Sequence, residues 1–191
     1  MTTADSESFL NKEYDQCFEH MRHYGNMNNS LLEFSFGYYS AIAALSIGIY
    51  QFFHKTNPGL SLGYIAMVLF LSVVIGSILN IQLVRYRKYF VHVARQVNRI
   101  RKYYIEDLDH FKSALPFKSD VPQAYNPKST QILIIIIFIV VNAIFLEIGF
   151  YCFLRFLLVE RTVSAVMTLV VSAAYIGAFW LLTKCILKKS E

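Results

Sequence analysis

Apolar positions gather in four long runs, 31–53, 60–84, 130–156 and 162–186. Each reaches or exceeds the ~20 residues a helix needs to cross ~30 Å of hydrocarbon. The first carries one acid near its start, Glu33. The second has no charge before Arg85, and the third contains an unbroken apolar stretch, 132–141. A soluble chain of 191 residues has too little interior to bury four such segments. The pattern therefore predicts an all-α integral membrane protein with four transmembrane helices.

Between the second and third runs the pattern becomes periodic. Tyr86, Phe90, Val93, Val97, Ile100, Tyr104, Leu108, Phe111 and Leu115 recur every three or four residues. They draw an apolar stripe on one helical face, with Arg95, Arg99, Arg101 and Lys102 elsewhere. No Gly or Pro lies between Gly76 and Pro116. The second span is thus expected to continue as one long amphipathic cytoplasmic helix ending near Pro116. Residues 117–129, with Pro122 and Pro127, then form a loop back to the third span. In the N-terminal arm, Leu10, Tyr14, Cys17, Met21 and Tyr24 repeat the spacing, and Gly25-Asn26 is the expected helix end. The arm is acidic and the middle helix basic, so the two are expected to pack, within one chain or between subunits. The alternative lays the middle helix flat on the lipid. The parts are an arm at 1–30, a first transmembrane hairpin at 31–84, a basic helix and loop at 85–129, a second hairpin at 130–186 and a tail at 187–191.

Composition sharpens this reading. The chain is 55% hydrophobic and 16% charged, with a mean hydropathy of +0.42. Nothing outside the apolar runs approaches the ~100 residues of an ordinary catalytic domain. Of the 18 Lys and Arg, only Lys55, Arg155 and Arg161 fall on one side of the expected spans. The positive-inside rule then places both termini and the middle segment in the cytoplasm. The net charge of +5 orients the chain and meets anionic lipid, not nucleic acid directly. Tyr38, Tyr39, Tyr50, Tyr64 and Trp180, near span ends, suit interfacial aromatic belts.

Polar groups inside the spans are the candidate chemistry. An ionised Glu147 would cost roughly 2.5–3.5 kcal/mol at the bilayer centre. It must face protein or water, pair with a cation, or stay protonated. Arg155, two turns on, is a candidate partner. Glu147 either lines a pore or a proton or cation path, or clasps a neighbouring helix. Asn142 shares its span. Ser72, Gly76 and Asn80 give the second span a small, polar face. Gly37, Ala41, Ala44 and Gly48 form a stripe of small residues on the first span, and Ala173 with Gly177 does the same on the fourth. Such faces allow close helix packing, with a polar pore lining as the alternative. Glu33 is expected in the first turn of a helix capped by Asn28, Asn29 or Ser30, where the helix dipole favours it. The pore candidates are Glu147, Asn142, Asn80 and Arg155. The partner-docking candidates are Arg95, Arg99, Arg101 and Lys102.

Cys17, Cys152 and Cys185 form no CxxC pair, and the five histidines are scattered. No phosphate-binding, dinucleotide, zinc-protease or serine-hydrolase motif occurs. The chain is expected to be no enzyme and to hold no metal or cofactor.

One resemblance rests on the order of parts. An arm with Tyr14 and Arg22-His23-Tyr24 precedes a hairpin, then the basic helix Arg87-Lys88-Tyr89…Arg95-Gln96-Val97-Asn98-Arg99-Ile100-Arg101. This resembles small bacterial membrane proteins that accompany antiphage systems, and is similar to the membrane accessory protein of type VI-B CRISPR loci. The resemblance implies a homo-oligomer in the bacterial inner membrane that alters permeability or modulates an RNA-targeting effector. It assigns no functional residue. The expectation is an oligomeric protein forming or regulating a channel or pore. The alternative is a non-conducting adaptor docking a cytosolic protein through its basic helix.

Overall fold

The computed structural model describes residues 3–53, 55–106, 126 and 129–188. Four helices make it up: α1 Thr3–Phe53, α2 Pro58–Glu106, α3 Thr130–Phe156 and α4 Arg161–Lys188. All four are long and apolar enough to cross a membrane, and no strand occurs among the described residues.

The helices come in two lengths. With 27 and 28 residues, α3 and α4 are each ~40 Å long. With 51 and 49 residues, α1 and α2 reach ~75 Å. They form an antiparallel hairpin. Half of it packs beside α3 and α4, and the rest forms a two-helix stalk that, among the described residues, packs on itself. Helix α2 is central, packing on α1, α3 and α4, whereas the backbones of α1 and α4 do not approach.

One expectation is corrected. Helix α1 does not end at Gly25-Asn26 but runs unbroken through both. Gly costs about 1 kcal/mol in a helix interior. Tertiary packing outweighs that on either side: Met21 and Tyr24 pack on Val93 and Val97 of α2, and Leu31 and Leu32 pack on the bundle core. Glu33 therefore sits deep within α1, exposed, with no helix terminus to favour it. Asn28, Asn29 and Ser30 cap nothing. Helix α2 runs without interruption from Pro58 to Glu106. Leu108, Phe111, Leu115 and the stop at Pro116 lie outside the described residues.

Short turns set the hairpins. Asn57 caps α2, its Oδ1 accepting from the Leu60 N–H at 3.2 Å, with Pro58 in the first turn. Between α3 and α4, Leu158 takes a left-handed φ of 62° and is 89% exposed. A leucine there is strained, with no packing in return. Leu158→Gly is expected to raise stability by about 0.5–1 kcal/mol, the relieved strain exceeding the added unfolded-state entropy. Unfolding titrations in mixed micelles measure it, and a loss of stability would contradict this account.

Burial on α4 is inverted relative to a helix of a water-soluble protein. Helix α4 turns Ser164, Thr168, Ser172 and Thr183 inward and exposes Val166, Leu169, Val170 and Leu181. Ser35, Ser61, Ser72, Asn80 and Asn142 are all buried as well. Helices that hide small polar residues and display large apolar ones are compatible with hydrocarbon as the surrounding solvent.

Candidate functional site

Three of the buried polar residues, Ser72, Asn80 and Asn142, lie along a seam between α2 and its neighbours. Ser72, Gly76 and Asn80 share one face of α2 because they are four residues apart. Opposite Gly76 lies Asn142 of α3, fully buried. The Tyr39 hydroxyl of α1 donates to Asn142 Oδ1 at 2.9 Å. One residue on from Gly76, Ser77 Oγ lies 2.9 Å from the Tyr175 hydroxyl of α4. These two hydrogen bonds join all four helices at one level.

Gly76 makes the junction possible. A Cβ at this position would run into Asn142 Oδ1 and come within 2.6 Å of the Tyr39 hydroxyl. Tyr39 has little room to yield. Its ring stacks on Phe138 at 5.5 Å and meets Phe145 edge-on at 5.6 Å.

The seam is not fully satisfied. Asn142 Nδ2, Ser72 Oγ and both amide atoms of Asn80 are buried with no hydrogen-bond partner. Further along α2, Arg87 Nη1 donates to Gln131 Oε1 of α3 at 2.6 Å, while its Nε is buried and unpartnered. Each unpaired buried group costs about 1–3 kcal/mol.

The four pore candidates separate. Asn142 and Asn80 both lie in the seam. Glu147 is about 140° around α3 from Asn142 and half-buried. Arg155 donates from Nη1 to the Val159 carbonyl at 2.8 Å, bracing the α3–α4 turn, and no ion pair joins it to Glu147. Tyr39, expected in an interfacial belt, is instead buried in the seam. Tyr175 and Ser77 were not singled out from the sequence. A tyrosine midway along the fourth apolar run was the available signal.

The stalk supplies the second set. Tyr14, Cys17, Met21 and Tyr24 of α1 pack on Val93 and Val97 of α2 within one chain. The Tyr24 and Tyr89 rings stack at 5.6 Å. Cys17 Sγ lies 3.8 Å from Gln96 Oε1, and burial beside Glu13 pushes its thiol pKa up, so it stays protonated at neutral pH. Of the docking candidates, Arg99 and Lys102 are exposed and Arg95 is half-buried. Arg101 is a strut: its Nε and Nη2 donate to the Tyr14 hydroxyl at 3.2 and 3.0 Å.

No group of three or more metal-ligating side chains occurs among the described residues. No protein-family model matches the chain, and neither a curated protein nor a solved structure does.

Proposed function

We propose that this chain is a multi-pass protein of a bacterial inner membrane, with both termini in the cytoplasm, whose assembled copies form or regulate a pore. The observation that carries the reading is the seam, with unpaired amide atoms of Asn80 and Asn142 buried in an apolar bundle. A polar side chain that packing leaves unpaired inside a membrane bundle is a candidate functional group. Unpaired amides destabilise the dry, packed arrangement. Any state that lets water reach them regains about 1–3 kcal/mol per group. The seam is therefore a two-state element biased toward hydration. Phe138, Leu83, Ile132 and Ile139 close the interior of one chain in the dry state, so conduction follows hydration of the seam, and Glu147, half-buried on α3, is the ionisable group to line the wetted path.

Ion flux from proteoliposomes tests this. Asn80→Leu is expected to cut flux about tenfold, the equivalent of ~1.4 kcal/mol of lost bias toward the wet state. Glu147→Ala is expected to change ion selectivity. Wild-type flux and selectivity in both variants would defeat the pore reading.

The stalk favours a second reading, a non-conducting adaptor. Its exposed Arg99 and Lys102 suit an acidic cytosolic surface. Arg99→Glu with Lys102→Glu is expected to abolish capture of such a partner while leaving membrane insertion intact. A role beside an antiphage effector belongs to this reading, and co-purification of the effector tests it.

A further inference from the structure

The α1/α2 hairpin has two exposed faces that match each other. At 100° per residue, Asp15, Glu19, Glu33, Gly37, Ala41, Ala44 and Gly48 lie within about 40° of one line on α1, and all are exposed. That line points away from α2, since Cys17 and Tyr39, buried toward the rest of the chain, lie on the opposite side. A Cβ at Gly37 or Gly48 would meet nothing within 4 Å. Helix α1 thus shows a shallow groove in its apolar part and acids in its stalk part, with Lys12 ending the acidic run.

Helix α2 has the converse face. Met67, Leu71, Val74 and Ile78 are each more than half exposed and nearly in line. Arg85, His92 and Arg99 continue that line into the stalk, also exposed. This face displays large apolar knobs and then the cations Arg85 and Arg99.

The heights of the two faces agree. Within the hairpin, residues at one level have numbers that sum to 113–117, as in Tyr14 with Arg101, Cys17 with Gln96, Tyr24 with Tyr89 and Phe53 with Tyr64. A second copy rotated about an axis parallel to the helices keeps every residue at its level. Gly37 then faces Ile78 of the neighbour, and Ala41 faces Val74. Ala44 meets Leu71 and Gly48 meets Met67. At each of these levels a small residue opposes a large one. Glu19 and Asp15 come level with the neighbour's Arg99 to within one turn, and Glu33 with its Arg85. Near the turn end, Phe52, 76% exposed, comes level with an apolar groove lined by Gly63, Tyr64 and Met67.

We propose that the occupant of the α1 face is the α2 face of a second copy of this chain, in parallel orientation and level register. Small residues let the backbones approach, and dispersion from seated knobs supplies the attraction that lipid cannot. The stalk charges select the orientation, because an inverted neighbour would lose every acid–base match. The two faces differ, so the contact is head-to-tail and repeats until it closes a ring. This interface rests on the oligomer reading above and specifies its geometry.

Oxidative cross-linking in membranes tests it, using two differently tagged full-length chains. An Ala41→Cys chain with a Val74→Cys chain is expected to give the mixed-tag dimer. Ala41→Cys alone is expected to give none, and so is Ala41→Cys with Met67→Cys, two turns out of level. Glu19→Arg is expected to lower the mixed yield about threefold, as one exposed ion pair allows, and adding Arg99→Glu to the partner chain to restore it. Cross-linking by Ala41→Cys alone, equal yield from the out-of-level pair, or no mixed dimer would overturn the proposal. Flux without the mixed dimer sinks this interface and leaves the pore standing. The mixed dimer without flux does the reverse.

Discussion

Gly76→Ala is expected to destabilise the solubilised protein by about 1–3 kcal/mol, the usual cost of forcing an extra methyl into a filled core. The added Cβ lands within 3 Å of the Tyr39 hydroxyl and the Asn142 Cγ. Neither partner is the free end of a flexible chain. Phe138 and Phe145 flank Tyr39, and Asn142 is wholly buried. Relief requires breaking the Tyr39–Asn142 hydrogen bond or moving α2 away from α3. Either change weakens the level at which all four helices are tied. SDS-titrated unfolding in mixed micelles reads the loss. Gly37→Ala is the control: its Cβ meets nothing, so the solubilised monomer should be at least as stable as wild type, gaining up to about 1 kcal/mol of helix propensity. Equal midpoints for Gly76→Ala and wild type would refute the close packing described.

The second large effect has the opposite sign. Asn80→Leu is expected to stabilise the protein by about 1–3 kcal/mol. Leucine has the same number of side-chain heavy atoms in the same branched arrangement, and it removes two buried, unpaired amide atoms together with their desolvation cost. Asn142→Leu is expected to do the reverse, because it strands the Tyr39 hydroxyl that Asn142 now accepts from. Two asparagines on facing helices thus part company by sign. Destabilisation by Asn80→Leu would mean that a partner, such as ordered water, already satisfies that amide in the packed state. Joined to the flux expected of the same variant, an Asn80→Leu protein that is more stable and conducts about tenfold less is the result the two-state seam demands.

The four helices long and apolar enough to cross a membrane were legible because length and an absence of charge can both be counted along a chain. The continuity of α2 past Val84 was legible too, since nothing between Gly76 and Pro116 interrupts a helix. The course of α1 through Gly25 was not. A local propensity of about 1 kcal/mol was overruled by packing of Tyr24 on Tyr89 and of Leu31 and Leu32 on the core. Tyr39 was misjudged for a related reason. Its distance from the end of an apolar run suits an interfacial belt, but its partner lies 103 residues away. The separation of Glu147 from Asn142 was available in principle, since five residues turn a helix by about 140°. Which side of α3 meets α2 was not.

The amino-acid order by itself determined how many apolar helices there are, where they start and stop at their turns, and how the cations are distributed. Each of these depends on residues within a few turns of one another. Only the tertiary structure decided which face of each helix is inward, and so which polar groups meet: Tyr39 with Asn142, Ser77 with Tyr175, Arg101 with Tyr14. Side-chain periodicity names a helix's faces, whereas the register between helices depends on how side chains far apart in the chain fit together.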